Sequence, residues 1–395
     1  MSIMLKDNVH WVGVTDWSLR KFHGEEYSTH RGSTYNSYLV QDEKTALIDT
    51  AWGPFARQYV ENLARTVDLD RIDFVVANHG EPDHSGALPE LMRHIPNRPV
   101  YCTANAVKSL KGQYHADWNF QVVKTGDRLS LGSRELIFIE APMLHWPDTM
   151  FCYLTGSSIL FSNDAFGQHL ASETMYNDLV DQCELWQEAI KYYANILTPF
   201  SRLVEKKIMD FAALSLPLDM ICPSHGVVWR DNPMQVVAQY LEWAKDYQEN
   251  QVTVVYDSMW GATRAMADAL AQTLAAEVPG LAVKVFNIAK QDKNDVITEV
   301  FKSKVLLLGS STINRGILSA VAAFLEEMRG LGFKNKKAAA FGSYGWSGEG
   351  LRQISEGLKG AGFEVLSEGV RELWKPDAAG LDRCREFARS LVPAL

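Results

Sequence analysis

The 395-residue sequence predicts two α/β parts in tandem: two sheets with outer helices, then a doubly wound parallel sheet. Three observations predict this. Up to about residue 230, short apolar runs are separated by turn residues. From residue 252 onward, strand-like and helix-like segments alternate regularly, the pattern of a parallel sheet with crossover helices. Between them the polar amphipathic run VVAQYLEWAKDYQEN (236–250) reads as a connecting helix. The expected boundary lies near residue 250, giving parts 1–249 and 250–395.

In the first part, TALIDT (45–50), DFVVAN (73–78), LIFIEA (136–141), ILFSND (159–164) and MICPS (220–224) read as strands. Several are rich in the β-branched and aromatic residues that suit a pleated surface. SGALPELMRHI (85–95) and QCELWQEAIKYYANIL (182–197) carry helical periodicity. In the second part, strands at 252–258, 304–311 and 336–343 alternate with helices at 262–277, 318–331 and 350–363.

Composition narrows the function. The net charge of -9 argues against a nucleic-acid partner, because phosphate backbones recruit basic surfaces. The opening residues MSIMLKDNVHW lack the apolar core of a signal peptide, and no apolar run approaches the ~20 residues that span a bilayer. The expectation is a cytoplasmic protein with no membrane partner. Cys102, Cys152, Cys183, Cys222 and Cys384 include no C-x-x-C pair, so the sequence holds neither a rubredoxin nor a cysteine-ligated iron–sulfur cluster.

The sharpest local feature is His79-Gly80-Glu81-Pro82-Asp83-His84, directly after the strand DFVVAN. Four potential metal ligands fall within six residues. His145, Asp164 and His225 each stand at or just beyond the end of another predicted strand. Ligands so placed can meet at one edge of a sheet sandwich. His79, Glu81 and His145 can hold one ion. Asp83 and His225, with or without His84, can hold a second, and Asp164 can bridge the two. Mixed imidazole and carboxylate ligation suits iron, and no cysteine adjoins the set.

Three loops follow the three parallel strands of the second part. Ser258-Met259-Trp260-Gly261-Ala262-Thr263 opens a helix, and small hydroxyl-bearing residues at a helix N-terminus suit a phosphate. Ser310-Ser311-Thr312-Ile313-Asn314 and Gly342-Ser343-Tyr344-Gly345-Trp346-Ser347-Gly348 follow, and the latter supplies glycine and aromatic residues for a flat ring. Neither G-x-G-x-x-G nor a P-loop motif occurs here. Ligands bind at this carboxyl edge in open α/β sheets.

The run H-x-E-x-D-H with a later His, Asp and His resembles the metallo-β-lactamase fold in its flavodiiron branch. LHWPD (144–148), FSNDAFGQH (161–169) and SHGVVWR (224–230) add to the likeness. Zinc hydrolases of that fold usually carry His where this sequence has Glu81. The second part is similar to flavodoxin, so the resemblance spans nearly the whole sequence. It implies a metallo-β-lactamase-like αββα sandwich followed by a flavodoxin-like sheet. It implies two non-haem irons on His79, Glu81, Asp83, His145, Asp164 and His225, with family members differing at His84. It implies FMN on the three loops, including Ser258, Met259, Trp260, Gly261, Ala262, Thr263, Ser310, Ser311, Thr312, Asn314, Ser343, Tyr344, Gly345, Trp346, Ser347 and Gly348.

The implied activity is reduction of NO to N2O, or of O2 to water, in a flavorubredoxin-like A-type protein without the rubredoxin module. YANILTPFSRLV (193–204) and SHGVVWRDNP (224–233) favour NO. Tyr193 and His169 are candidates beside the diiron pocket. A separate rubredoxin-type donor, and a head-to-tail homodimer or a dimer of dimers, follow from the same resemblance. Two other readings stay open: a dinuclear zinc hydrolase fused to a flavodoxin-like module, and an electron carrier whose first part only scaffolds FMN.

Overall fold

The computed structural model describes residues 2–395 and divides the chain into two compact units. The first comprises Met1–Tyr192 and Phe200–Leu241, the second Tyr193–Pro199 and Glu242–Leu395. The division falls several residues before the expected boundary. The connecting helix spans Met234–Trp243 and stops short of residue 250. Asp246 just beyond it is in the left-handed region, which no helix continues through.

The first unit is a sandwich of a seven-stranded and a five-stranded sheet. In the larger sheet, Tyr38–Gln41 and Thr45–Ile48 pair antiparallel. Thr45–Ile48, Ile72–Val76, Val100–Cys102 and Phe120–Val122 then run parallel. In the smaller sheet, Met150–Leu154 and Ile159–Asn163 pair antiparallel, and Met220–Pro223 joins parallel to Ile159–Asn163. Residues of both sheets, among them Val40, Ile48, Val76, Phe138, Cys152, Phe161 and Cys222, form one core. Burial on both faces is why these strands read as continuous apolar runs rather than as alternation.

The second unit is a parallel sheet in the order Ala282–Asn287, Gln251–Tyr256, Val305–Ile313, Lys337–Tyr344, Glu364–Val365. The helices Ala262–Glu277, Ser319–Leu331 and Glu349–Gly360 match their predicted positions closely. The strand Ala282–Asn287, whose apolar residues are interrupted by Lys284, lies at the sheet edge with none of its residues buried. Among the described residues, no helix is long and apolar enough to cross a membrane.

The predicted helix over 182–197 changes form part-way. It is α-helical over Gln182–Tyr192 and then a wider π turn over Tyr193–Leu197. The segment Tyr193–Pro199 belongs to the second unit, where Tyr193 rests on Trp243 and Phe301.

Lys336 is buried and donates to the carbonyls of Tyr247, Phe301 and Ser303 at 2.9, 2.6 and 2.9 Å. Lys336→Met strips three buried acceptors of their donor. It is expected to lower the stability of the second unit by on the order of 3 kcal/mol, read as an earlier urea transition.

Candidate diiron centre and flavin pocket

The seven histidines and carboxylates singled out in the first part converge in two adjoining groups. His79, Glu81, His145 and Asp164 offer ligand atoms that all lie within 4.8 Å of one another, and Asp83, His84 and His225 do the same. The sequence places them so because each lies at or beyond a strand end. His79 follows Ile72–Val76, Asp164 follows Ile159–Asn163, and His225 follows Met220–Pro223. Asp83 and His84 lie in the short helix Pro82–Ser85, started by a proline whose missing N–H no helix bond needs.

Asp164 lies between the groups. Its Oδ2 is 3.4 Å from His145 Nε2 and 3.7 Å from His79 Nε2. Its Oδ1 is 3.0 Å from His84 Nε2 and 3.6 Å from His225 Nε2. Each oxygen therefore faces a different group. Glu81 Oε2 lies 3.2 Å from His79 Nε2 and 3.3 Å from His145 Nε2. Asp83 Oδ2 lies 2.9 Å from His225 Nε2 and 3.1 Å from His84 Nε2.

The backs of two imidazoles are held. His225 Nδ1 lies 2.6 Å from the carbonyl of Thr34, which only accepts, so that nitrogen carries a proton and the ring orientation is fixed. His79 Nδ1 lies 2.8 Å from Asp148 Oδ1. Asp148 also accepts the Gly80 N–H at 3.0 Å. Residue 80 must be glycine for this approach, since a Cβ there would meet Asp148 Oδ2 and the Ser109 side chain at 2.7 Å.

The charges are mutually dependent. Burial disfavours protonated imidazole, yet the Asp164 and Asp83 charges raise His84 to about 9. Against the same burial, Asp164 and Glu81 raise His145 to about 9. Burial pushes Asp164 up, but His84 and His145 hold it well below the usual carboxylate range. Such a site requires positive charge, supplied either by protons or by metal ions. Several buried atoms lack a well-directed hydrogen bond: Asp83 Oδ1, Asp164 Oδ2, and both ring nitrogens of His84. Orphaned donors and acceptors in a buried carboxylate–imidazole cage fit metal cations.

Two further residues adjoin the cage. His169 is buried, with its ring 4.7 Å from that of His225 and Nδ1 2.7 Å from Ser33 Oγ. Burial, then the neighbouring His225 and His23, keeps it neutral. Tyr193, expected here, is not brought to the cage and packs instead on Trp243 and Phe301. Of the two adjacent tyrosines, the one at the cage is Tyr192, 5.3 Å from the His169 ring. Adjacent helix residues point about 100° apart, so a helical wheel fixed by Leu185 and Ala189 could have made the distinction. His23, whose Nε2 is 3.1 Å from Glu81 Oε1, carries no comparable sequence signal.

In the second unit, a pocket of about 790 Å³ lies at the carboxyl edge of the sheet. It is lined by Met259, Trp260, Ala262, Ser311, Thr312, Asn314, Ser343, Tyr344, Gly345, Trp346 and Ser347, all anticipated. It also draws on Ile313, which lies in the second of the predicted loops, and on Arg315, Trp374 and Lys375, which were not anticipated. Trp260 and Trp346 are 93% and 87% exposed, leaving indole faces free for a flat ring. The other anticipated residues shape the loops. Gly261 precedes the helix Ala262–Glu277 at φ +84°, and Ser258 Oγ accepts its N–H at 3.0 Å. Gly348 precedes the helix Glu349–Gly360. Ser310 Oγ accepts the N–H of Leu318 at 2.9 Å. Thr263 Oγ1 is buried 3.0 Å from Ser311 Oγ and 2.9 Å from Ser343 Oγ, so one hydroxyl ring joins all three loops.

Residues 34–226 match the model of the ODP family beta lactamase, and residues 254–387 match flavodoxin. Relatives from Escherichia coli and Shigella flexneri, called anaerobic nitric oxide reductase flavorubredoxin, are 55% identical over 99% of this chain and 82% of theirs. The chain belongs to the flavodiiron proteins. Two solved structures agree. Rubredoxin oxygen:oxidoreductase from Desulfovibrio gigas superposes with a TM-score of 0.97 at 36% identity, covering 100% of this chain and 98% of that one. The flavodiiron protein from Giardia intestinalis gives 0.95 at 34%, covering 100% and 96%. This flavodiiron chain is an oxidoreductase whose cofactors are FMN and a non-haem diiron centre.

Two outcomes are expected. Asp148→Ala leaves the His79 ring unsupported and should lower iron affinity about 10–100-fold in an anaerobic titration, with FMN content unchanged. Thr263→Val breaks the hydroxyl ring and should weaken FMN binding about tenfold, measured by flavin fluorescence during titration into the apoprotein.

Proposed function

We propose that this protein reduces nitric oxide to N2O and water, with electrons passed through FMN to two irons. His79, Glu81 and His145 would hold one iron, Asp83, His84 and His225 the other, and Asp164 would bridge them. The observation that carries this reading is Asp164, whose two oxygens face different groups. The nearness of His84 Nε2 to Asp83 Oδ2 and Asp164 Oδ1, at 3.1 and 3.0 Å, supports its place in the second set.

Bound iron and flavin supply the one- and two-electron chemistry. The chain's residues hold and orient. Asp148 and Thr34 fix the ring orientation of His79 and His225 so that each Nε2 points into the cage. His169, buried beside His225, would offer a hydrogen bond to a small ligand. Two NO molecules take up two electrons and two protons to give N2O and water. O2 takes four of each to give two waters.

The name carried by the 55% identical relatives supports NO as the gas. The name of the Desulfovibrio gigas protein supports O2 as the second reading. Both names include rubredoxin, which supports a rubredoxin-type electron donor. A head-to-tail homodimer, or a dimer of dimers, completes the reading. A cytoplasmic location suits the five cysteines, all of them unpaired.

The test is anaerobic NO consumption and, separately, O2 consumption by the pre-reduced protein, together with metal analysis. Two irons per chain and faster NO turnover are expected. Asp164→Ala should abolish both activities and retain FMN. Two zincs without iron, or wild-type turnover in Asp164→Ala, would overturn the assignment.

A further inference from the structure

The turn after the strand Thr45–Ile48 contributes no ligand, yet it touches three segments that do. Asp49 is buried, with φ +54°. Its Oδ1 accepts the backbone N–H of Asn78 at 2.8 Å. Its Oδ2 accepts the side-chain amides of Asn78 at 3.1 Å and Asn163 at 3.4 Å. Each asparagine immediately precedes a ligand-bearing residue, His79 in one case and Asp164 in the other. The neighbouring Thr50 donates to the carbonyl of His84 twice, from its N–H at 2.7 Å and from Oγ1 at 2.8 Å.

One dipeptide thus grips the chain behind His79, His84 and Asp164. His79 belongs to one group, His84 to the other, and Asp164 stands between them. We propose that Asp49 and Thr50 are positioning residues that set the separation of the two metal-binding groups. The proposal rests on the diiron reading given above.

The argument is one of cost. A carboxylate is expensive to bury and is tolerated only when its acceptor oxygens are satisfied. Asn78, at the end of Ile72–Val76, gives a donor to each Asp49 oxygen, and Asn163, at the end of Ile159–Asn163 in the other sheet, adds a second donor to Oδ2. An apolar contact would hold the sandwich together but would not fix direction. Hydrogen bonds at set angles to both strand ends do, and groups behind metal ligands govern affinity and geometry in this way. Asp49 touches no metal ligand side chain in these hydrogen bonds; it acts through Asn78 and Asn163.

The test uses the full-length, FMN-loaded protein freed of iron and titrated anaerobically with ferrous iron. Iron affinity and the Mössbauer spectrum of the loaded site are the readouts. FMN content and Tm report the fold. Asp49→Asn keeps the shape but turns an amide donor toward amide donors. It should retain FMN, bind iron at least tenfold more weakly, and broaden the spectrum. The exchange D49N/N78D restores an amide-to-carboxylate hydrogen bond with partners reversed, and should recover most of the affinity. Thr50→Val keeps the N–H and the shape but loses the hydroxyl, and should alter the spectrum more mildly. Wild-type affinity and spectrum in Asp49→Asn would overturn the proposal, as would a folded D49N/N78D protein with no recovery. If Asp49→Asn fails to fold, Thr50→Val decides, and an unchanged spectrum there sinks the idea. If the wild-type chain itself binds no iron, it is the diiron reading that fails.

Discussion

Everything in the first unit answers to one electrostatic constraint: three carboxylates and four imidazoles are confined where water cannot reach them. Glu81, Asp83 and Asp164 are buried, as are His79, His84 and His225, with His145 at their edge. In such a place each unpaired charge costs several kcal/mol, so the groups must share positive charge among themselves or take it from cations. Protons meet the demand only in part, because Asp83 Oδ1, Asp164 Oδ2 and the His84 ring still lack a well-directed hydrogen bond. Two cations, with Asp164 offering one oxygen to each side, would meet it in full.

The fold meets this constraint by exposing strand ends rather than strand faces. Parallel strands deliver their C-terminal ends to one edge, and the turns beyond them are free of ladder hydrogen bonds. Those turns adopt unusual backbone to aim side chains inward. Asp49 and Asn163 both sit in the left-handed region, which costs a non-glycine residue about 1 kcal/mol or more and persists where surrounding bonds over-determine it. Asp49 supplies such bonds to Asn78 and Asn163. The second unit uses the same edge differently. There the loops offer backbone, hydroxyls and open indoles instead of charge, and the ring of Thr263, Ser311 and Ser343 ties them together.

Much of this was legible in the residue order. The H-x-E-x-D-H run crowds ligands into one loop, and the apolar strands before His79, Asp164 and His225 place those residues at an edge. Glu81, where zinc hydrolases of that fold usually carry His, weighed against a zinc pair. The three loops of the second part were legible because each follows an apolar strand and opens toward a helix. What stayed hidden depended on facing and on partners remote in sequence. Tyr192 and Tyr193 are adjacent and chemically identical, and their helical phase relative to Leu185 and Ala189, not their residue type, separates the one that faces the cage. Asp148 reads as an ordinary loop carboxylate until His79, 69 residues away, is seen against it. Trp374 and Lys375 lie beyond the last strand that pairs in the sheet and join the pocket only through the fold.

The sequence by itself determined the two-part architecture, the ligand chemistry and the absence of a cysteine cluster, because periodicity and residue type are local properties. Only the tertiary structure decided which oxygen of Asp164 turns to which group and what holds the strand ends behind the ligands. Asp164 Oδ1 faces one group and Oδ2 the other, and Asp49 reaches two strand ends at once. These are relations between segments up to 142 residues apart, as between Asp83 and His225. A residue's own neighbours in the chain carry no record of such distances, which are set by how two sheets pack and where their edges meet.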